Sequence, residues 1–309
     1  MLTRTLDYET FNRKRRMTEF ATRYLEVPGY FVKDHCWLKR GKDYHIFYIT
    51  GRMPKGIDTH IGHASTRDFT HWQIHSRLTQ EGAPFVIEKD GLFYLFYNRD
   101  SNSHPYCPIR LATSSDLLHW KSYPGNPVYA PSPKYYRYGP SVKHCRDFHV
   151  LQEGSYYYLL FCGLTKKGVG CVGVIRSRDL HNWEDLGPMF VLDHGVKKQT
   201  RCWWSGYGNP ESPQLFKKDG LWHLFFTDNS YSQPYHLWSD KMLEGFSWRN
   251  AQLLFANENG YKSPRAATEV IFRPDGDLMS YYFWDLIKKK CVLRLREIGW
   301  EGPVVYFKY

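Results

Sequence analysis

The sequence predicts an all-β fold, a five-bladed β-propeller in a single domain, and three observations support this. Aromatic residues make up 17% of the 309 residues, a composition that favours β-sheet over a helical bundle. One phrase recurs along the chain: ASTRDFTHW at 64–72, ATSSDLLHW at 112–120, IRSRDLHNW at 175–183 and, more loosely, LWSDKMLEGFSW at 237–248. A second phrase precedes each copy: KDYHIFYIT at 42–50, KDGLFYLFYN at 89–98, EGSYYYLLFCG at 153–163 and KDGLWHLFFTD at 218–228.

Each unit reads as four short strands, which is the pattern of a propeller blade. A lead strand reaches a glycine turn, an aromatic strand follows, and a third strand ends at Ser-x-Asp before a tryptophan-led edge strand. A fifth, more degenerate copy lies at 272–285, FRPDGDLMSYYFWD. A β-sandwich with coincidental turns is the alternative, and the fixed order of the two phrases argues against it. The tryptophans that repeat in register are predicted to be structural: Trp72, Trp120, Trp183 and Trp248.

The domain prediction divides the chain into an N-terminal extension, 1–26, and a propeller, 27–309. The extension is predicted to be helical, and its basic cluster RKRR at 13–16 to be a solvated helix face. Either EFATRYLEV at 19–27 or the C-terminal PVVYFKY at 303–309 is expected to complete the last blade and close the ring.

Composition excludes several other classes of protein. No apolar run approaches the ~20 residues of a membrane span, and the N-terminus lacks the apolar core of a secretory signal, so we expect a cytoplasmic protein. Seven cysteines form an odd set without a CxxC pair, which argues for reduced thiols and against a zinc site or a disulfide framework. The net charge of +11 is spread along the whole chain, so nucleic-acid binding ranks last among the functions considered.

Acidic residues recur near the starts of the lead strands. Asp34, Asp147 and Glu269 each lie seven residues before the next turn glycine, and Glu211 lies nine before it. Glu81 in the second blade fits this spacing less well. In a propeller the innermost strands line the central channel, so these carboxylates are expected to converge at one end of it. Crowded like charges are costly unless a function or a cation requires them.

Carboxylates beside aromatic side chains suit a sugar-binding site. A pair of carboxyl groups can supply an acid and a nucleophile or base, while aromatic faces stack on sugar rings. The predicted substrate-binding residues are Arg146, Glu269 and four tryptophans, Trp37, Trp203, Trp204 and Trp284. Because neighbouring residues of a strand face opposite ways, Arg146 and Asp147 are expected not to meet.

The lead strands resemble those of known enzymes. DHCWLKRGKDYHIFY, CRDFHVL and NPESPQLF, in this order, look like the Asp, Arg-Asp and Glu motifs of five-bladed glycoside hydrolases of families 32, 68 and 43. The similarity extends over 27–309. It implies that Asp34 is the nucleophile or general base, that Asp147 stabilises the transition state, and that Glu211 is the general acid. Arg146 corresponds to an arginine that binds sugar hydroxyls, although Phe148 replaces the proline that follows the Arg-Asp pair in family 32.

The expected function is hydrolysis of a furanosidic or related glycosidic bond in an oligosaccharide, leaning towards retention of configuration. A catalytically silent sugar-binding propeller and a cytoplasmic glycoside phosphorylase remain alternatives. No cofactor and no membrane or nucleic-acid partner is expected, and a structural cation in the channel is left open. Histidines such as His35, His63 and His149 are predicted to be core or turn residues, not metal ligands. The sequence does not indicate the sugar, the linkage or the oligomeric state.

Overall fold

The computed structural model confirms the five-bladed β-propeller. It describes residues 23–53, 60–98, 108–137, 144–192, 208–229, 233–255, 265–285 and 289–308. The predicted helical extension lies largely outside these ranges, and so do Trp203 and Trp204. Within them the structure is almost entirely strand, with a 3-10 turn at Trp248–Asn250. None of the described residues forms a helix long and apolar enough to cross a membrane.

Four blades are four-stranded antiparallel sheets with strands in sequence order from the centre outwards. Blade 1 contains β2 (Lys33–Arg40), β3 (Asp43–Thr50), β4 (His60–Thr66) and β5 (Gln73–Ile74). Blade 2 contains β6 (Phe85–Lys89), β7 (Leu92–Tyr97), β8 (Arg110–Ser114) and β9 (Lys121–Ser122). Blade 3 contains β10 (Arg146–Glu153), β11 (Tyr156–Leu164), β12 (Gly170–Ser177) and β13 (Glu184–Val191). Blade 4 contains β14 (Pro210–Lys218), β15 (Leu221–Asp228), β16 (Gln233–Ser239) and β17 (Gln252–Leu253).

Blade 5 is assembled from both ends of the chain. Its strands are β18 (Arg265–Ile271), β19 (Leu278–Asp285), β20 (Lys290–Glu301), β21 (Val304–Phe307) and, from the N-terminal side, β1 (Arg23–Leu25). β1 pairs with the first half of β20 and β21 pairs with its end. Both of the segments expected to close the ring therefore contribute strands to the fifth blade.

The innermost strands contact one another in a closed ring, β2 to β6 to β10 to β14 to β18 and back to β2. The apolar core lies between the blades and is rich in fully buried aromatic rings, including Phe47, Phe96, Phe161 and Phe225. The five cysteines in the described part of the chain are free and buried, in agreement with the prediction of reduced thiols.

The recurring Ser/Thr-x-Asp phrase forms the same turn in the first three blades. In blade 2, the hydroxyl of Ser114 accepts the backbone N–H of Leu117 at 2.9 Å, and Oδ1 of Asp116 accepts two more, from Leu118 and His119, at 2.8 Å each. Hydrogen bonds to the carboxylate of Asp116 hold its pKa below the usual value. The His119 side chain contributes most, followed by the backbone N–H groups of His119 and Leu118. The turn satisfies its own backbone, which explains why the phrase is repeated.

The tryptophan that follows each turn packs against a neighbouring blade. Trp120 of blade 2 lies edge-on to Phe47 of blade 1, with ring centroids 5.9 Å apart. Trp183 of blade 3 makes the same contact with Phe96 of blade 2 at 5.7 Å. These residues hold adjacent blades together, as the sequence predicts.

Candidate functional site

Four of the five innermost strands carry a β-bulge close to their start. The bulges fall between Lys33 and His35 in β2, Arg146 and His149 in β10, Glu211 and Gln214 in β14, and Ala266 and Glu269 in β18. One residue of each bulge has a positive φ, at 41° for Asp34, 58° for Asp147, 48° for Ser212 and 51° for Ala267. A bulge of this kind turns a side chain away from the regular alternation of the strand. The same distortion therefore recurs around the channel mouth.

The bulges define which residues are equivalent between blades. Asp34 and Asp147 occupy the same position, and Ser212 and Ala267 occupy it in blades 4 and 5. Glu211 lies one residue earlier, at the position of Lys33 and Arg146. The expectation that all four acids share one position is confirmed for Asp34 and Asp147 and is wrong for Glu211 and Glu269. It fails because the turn glycine lies one residue after the last paired residue of β2 and β10, two after that of β14 and five after that of β18, so the counts do not start from equivalent places.

Arg146 connects the acids of blades 3 and 4. Its Nη2 donates a hydrogen bond to Oε1 of Glu211, and its Nε lies 3.8 Å from Oδ2 of Asp147. The expectation that Arg146 and Asp147 do not meet is therefore wrong, because the positive φ at Asp147 breaks the alternation of the strand. The backbone N–H of Ser212 donates to Oδ2 of Asp147 at 3.3 Å, so both side chains of blade 3 contact the start of β14.

Asp147 is the most buried of the three predicted catalytic acids. Its side chain is 6% exposed, compared with 14% for Glu211 and 20% for Asp34. Burial raises the pKa of Asp147, Arg146 opposes this shift, and the charges of Glu211 and Asp34 add to it. The three carboxylates thus share one electrostatic environment. Asp34 also lies 3.7 Å from Nζ of Lys33, its neighbour in the chain.

A nitrogen of His144 holds the far side of the Arg146 side chain. Nη1 of Arg146 donates to Nδ1 of His144 at 3.2 Å. Burial, followed by the charge of Arg146, lowers the pKa of His144 to about 3, so its ring is neutral and can accept this bond at physiological pH. The guanidinium is thereby directed at both Asp147 and Glu211.

Tyr282 in β19 is a site residue that the sequence reasoning missed. Burial raises the pKa of its phenol well above the usual value, and the charges of Asp34, Glu211 and Asp147 raise it further. The phenol is therefore neutral, and it is near enough to the three carboxylates for their charges to act on it. The sequence contains one signal for Tyr282, since it lies two residues before Trp284, a predicted substrate-binding residue. Residues two apart share one face of a strand. Trp284 is half-buried and packs in the same cluster as Tyr282.

Glu269 lies deeper in the channel, in a layer that links neighbouring blades. It occupies the position of Cys36, His149 and Gln214, two residues after the bulge position of Asp34. Nε2 of His149 bonds the Leu215 carbonyl at 2.9 Å, and Nε2 of Gln214 donates to the Val270 carbonyl at 3.1 Å.

The carboxylate of Glu269 accepts the backbone N–H of Trp37, which joins blade 5 to blade 1. Burial raises the pKa of Glu269 to about 8, and the Trp37 hydrogen bond opposes that shift. Each of these side chains, from His149, Gln214 and Glu269, bonds to the backbone of the next innermost strand. Glu269 therefore has the contacts of a residue that closes the ring.

Trp37 packs between blades 1 and 5. Its indole Nε1 donates to Oγ of Ser280 at 2.9 Å, and its ring lies 5.7 Å from Phe69 and 6.1 Å from Trp72. Oγ of Ser280 also bonds Nε2 of His35 at 2.7 Å. These are the contacts of a packing residue, and substrate binding by Trp37 stays a prediction.

The arrangement brings a proton donor or acceptor, a second carboxylate and a cation to one end of the channel. Glu211, Asp147 and Arg146 are in direct contact, and Asp34 is close enough for its charge to act on Asp147. Carboxyl groups placed around one bond can protonate a leaving oxygen and attack or activate water on the opposite side. The site therefore contains the kinds of group that acid–base cleavage of a glycosidic bond requires.

Comparison with known proteins agrees with this chemistry. The sequence model described as "Glycosyl hydrolases family 32 N-terminal domain" matches residues 36–203, a stretch that includes Arg146 and Asp147. A sucrose-6-phosphate hydrolase of Zymomonas mobilis is 28% identical over 162 residues, covering 46% of this chain and 30% of that protein. An extracellular endo-α-(1→5)-L-arabinanase of Bacillus subtilis is 24% identical over 161 residues, covering 49% of this chain and 47% of that protein. The chain thus aligns with less than half the length of either relative.

Two solved structures share the fold. The GH32 β-fructofuranosidase of Bombyx mori superposes with a TM-score of 0.71 at 18% identity, covering 98% of this chain and 70% of that chain. A thermostable family-43 glycoside hydrolase superposes with a TM-score of 0.66 at 15% identity, covering 92% of this chain and 96% of that one. At these identities the two structures support the propeller architecture and nothing finer.

Proposed function

Since the chain belongs to the glycosyl hydrolase family 32 N-terminal domain family, we propose that it hydrolyses a furanosidic bond in a short oligosaccharide or glycoside. The observation that carries this proposal is the contact of Arg146 with Glu211 and Asp147 beside Asp34. A propeller without a catalytic function would have little reason to bury two carboxylates against one guanidinium beside a third carboxylate.

In the proposed mechanism Glu211 protonates the leaving oxygen and Asp34 attacks the anomeric carbon from the opposite side. Asp34 suits the second role because it is the most exposed of the three acids and has a cation, Lys33, 3.7 Å away. Asp147 stabilises positive charge that develops on the sugar ring in the transition state. Water then releases the sugar, with Glu211 acting as the base, and the anomeric configuration is retained.

Arg146 holds Glu211 in place until a sugar binds. A carboxylate bonded to a guanidinium acts as a hydrogen-bond acceptor, whereas a general acid must donate a proton. Hydroxyl groups of the substrate can take over the donors of Arg146, which frees Glu211 to carry the proton to the leaving oxygen. Substrate binding and activation of the acid are coupled in this way.

The proposed substrates are fructofuranosides and arabinofuranosides, because the relatives described above are named for enzymes that act on sugars of these kinds. Sucrose 6-phosphate belongs in the test for the same reason. The phosphorylase alternative is less well supported, since three acids at one end of the channel favour hydrolysis, which needs a second carboxylate beside the general acid.

The deciding experiment measures turnover of fructosides, arabinofuranosides and xylosides by the wild type and by Glu211→Gln, with and without phosphate. We expect the wild type to hydrolyse its substrate at a rate that does not depend on phosphate. In Glu211→Gln the rate on substrates with a poor leaving group should fall by roughly 10²–10⁴-fold, the usual contribution of a general acid. NMR of the first anomer released distinguishes retention from inversion. Full activity of Glu211→Gln would overturn the assignment of the acid.

The same measurements separate the alternatives. Saturable sugar binding without turnover on any substrate would favour the silent binding propeller. A rate that requires phosphate would favour the phosphorylase.

A further inference from the structure

Three histidines of blade 1 form a cluster away from the carboxylates. His45 lies in β3, His63 in β4, and His75 follows β5 directly. One ring nitrogen from each lies within 4.8 Å of the others. His63 is 1% exposed, and the other two are half-buried. The cluster is on the middle and outer strands of the blade, whereas Asp34 is on the innermost strand.

The hydrogen bonds of the cluster are incomplete. Nδ1 of His45 and Nε2 of His63 lie 3.0 Å apart and share a hydrogen bond, while Nε2 of His75 bonds Oγ of Ser65 at 2.9 Å. Nδ1 of His63 is buried and has no hydrogen-bond partner among the residues that the structure describes. The ring of His63 stacks between those of Phe47 and His75, with centroids 4.2 Å from each. Three imidazoles thus lie together with one described hydrogen bond between rings, at a place where two of them are only half-buried.

Blade 4 contains a similar pair of histidines, but the second histidine of that pair has a hydrogen-bond partner on both ring nitrogens. Nδ1 of His223 bonds Nε2 of His236 at 2.9 Å, as in blade 1. Nδ1 of His236 then donates to Oε1 of Gln252 at 3.1 Å. Gln252 pairs with His236 across the outer strands, and His75 donates its backbone N–H to the carbonyl of His63 at the corresponding place. Glutamine satisfies the buried histidine, whereas His75 leaves its counterpart without a partner.

We propose that His45, His63 and His75 bind a divalent transition-metal ion, with Zn²⁺ as the reference ion. Neutral imidazole is a preferred ligand for zinc, copper and nickel, and three such ligands leave a coordination position for water. The hydroxyl of Ser65 holds Nε2 of His75 and leaves Nδ1 of that ring for the ion, which is the usual role of a partner behind a ligating histidine.

The present spacing requires one local movement. Zinc ligands at roughly 2.0–2.1 Å from the ion stand about 3.4 Å apart in a tetrahedral site. His45 and His63 already lie at close to this spacing, so the ion takes the place of the proton between Nδ1 of His45 and Nε2 of His63, and Nδ1 of His63 keeps its hydrogen. His75 must tilt out of its stacked contact with His63, and its half-buried position at the end of β5 allows this. The ion would join the middle and outer strands of blade 1.

The test uses the full chain without a polyhistidine tag, after treatment with a chelator. Titration calorimetry with ZnCl₂ is expected to show one ion bound per chain, with a rise in the thermal unfolding midpoint. Co²⁺ is expected to give the visible absorption of a tetrahedral site. His75→Gln, which copies the arrangement of blade 4, is expected to weaken the binding at least tenfold and to keep the fold by circular dichroism.

Blade 4 supplies the matched gain-of-function variant. Gln252→His places a third imidazole beside His223 and His236 and is expected to add a second, weaker site. No zinc binding by the wild type would overturn the proposal, and so would unchanged affinity in His75→Gln, since the ion would then be held elsewhere. Neither result bears on hydrolysis by the carboxylates, because the cluster contains none of them.

Discussion

Blades 1 and 4 share a four-stranded topology and a bulge in the innermost strand, and they differ in the chemistry of the side chains at equivalent positions. Each has a bulge in its innermost strand, which carries Asp34 in blade 1 and Ser212 in blade 4. The acid of blade 4, Glu211, lies one residue earlier, where blade 1 has Lys33. Two acids on blades that both neighbour blade 5 therefore reach the channel mouth from different positions of the same bulge.

The outer strands of these blades differ in a similar way. Both contain a bonded pair of histidines, completed by His75 in blade 1 and by Gln252 in blade 4. Trp300 of blade 5 lies edge-on to His223 at 5.1 Å and covers the blade 4 pair. Among the ring contacts described, Trp120 contacts Phe47 beside the blade 1 pair and neither of its histidines. The blade provides a rigid frame, and its chemistry depends on single substitutions at the bulge and at the outer edge.

The largest effect is expected when blade 1 is given the bulge residue of blade 4. Asp34→Ser removes the proposed nucleophile while keeping a residue type that blade 4 accommodates at the same φ. We expect kcat to fall by about 10⁴-fold or more, as when other enzymes lose their nucleophile. Steady-state kinetics on the best substrate of the panel measures this.

Ser212→Ala is the control for Asp34→Ser. The backbone N–H that bonds Asp147 remains, so kcat is expected to change less than tenfold. Equal losses in the two variants would mean that the bulge itself, and not the carboxylate of Asp34, is what activity requires.

The second effect concerns the layer below the bulge, where blade 1 has Cys36, blade 4 has Gln214 and blade 5 has Glu269. The folded-state pKa of Glu269, about 8, lies above its ordinary value of 4.5. The folded protein therefore binds a proton that the unfolded chain releases between these values. Its contribution to stability is complete below about pH 4.5 and is lost as the pH rises through 8.

Glu269→Gln is expected to remove this pH dependence, because a neutral amide oxygen can still accept the Trp37 hydrogen bond. At pH 9 the variant should be more stable than the wild type by up to a few kcal/mol, at about 1.4 kcal/mol per pKa unit, and near pH 4.5 the two should be similar. Urea unfolding across this range measures the difference. A constant difference at every pH would show that Glu269 keeps its ordinary pKa.

The third effect concerns the hydrogen bonds that Gln252 makes at the outer edge of blade 4. Oε1 of Gln252 accepts from His236 and from the backbone N–H of Val305 at 3.1 Å, so Gln252 also joins blade 4 to blade 5. Gln252→Ala leaves the buried Nδ1 of His236 without a partner and should lower the free energy of unfolding by about 1–3 kcal/mol. Chemical denaturation in the presence of a chelator measures it. No loss would show that water or a neighbouring group replaces the amide.

The smallest effect is the reverse change in blade 1. In chelator, His75→Gln should supply the acceptor that Nδ1 of His63 lacks and raise the free energy of unfolding by about 0.5–1.5 kcal/mol. The same denaturation curves measure the gain, with His75→Ala as the control that removes the ring without adding an acceptor. Destabilisation by His75→Gln would mean that stacking on His63 outweighs the missing hydrogen bond.

The repeated phrases are enough to predict the architecture, because the turn in blades 1 to 3 satisfies its own backbone and the tryptophan after it packs against the neighbouring blade. Local patterns such as Ser114 to Trp120 therefore carry most of the fold. The acidic residues of the lead strands could also be found, since the innermost strands all begin at the same end of the channel.

Contacts that depend on the register of a bulge or on a neighbouring blade could not be predicted. The meeting of Arg146 with Asp147 needs a positive φ that no spacing reveals. The nearness of Tyr282 to the acids depends on how blade 5 packs beside blade 1. His45, His63 and His75 are separated by loops of different lengths, so they resemble no metal-ligand pattern in one dimension.

The shared fifth blade has a consequence for the order in which the protein folds. Arg23 bonds Glu297 across 274 positions of the chain, and β1 has no partner strand until β20 exists. Contacts this distant in sequence are slow to form, since the intervening chain must first be ordered. During synthesis on the ribosome, blades 1 to 4 can each pair their strands as they emerge. The ring itself can close only after the last blade has left the ribosome, so the early blades must wait with one inter-blade face open to solvent.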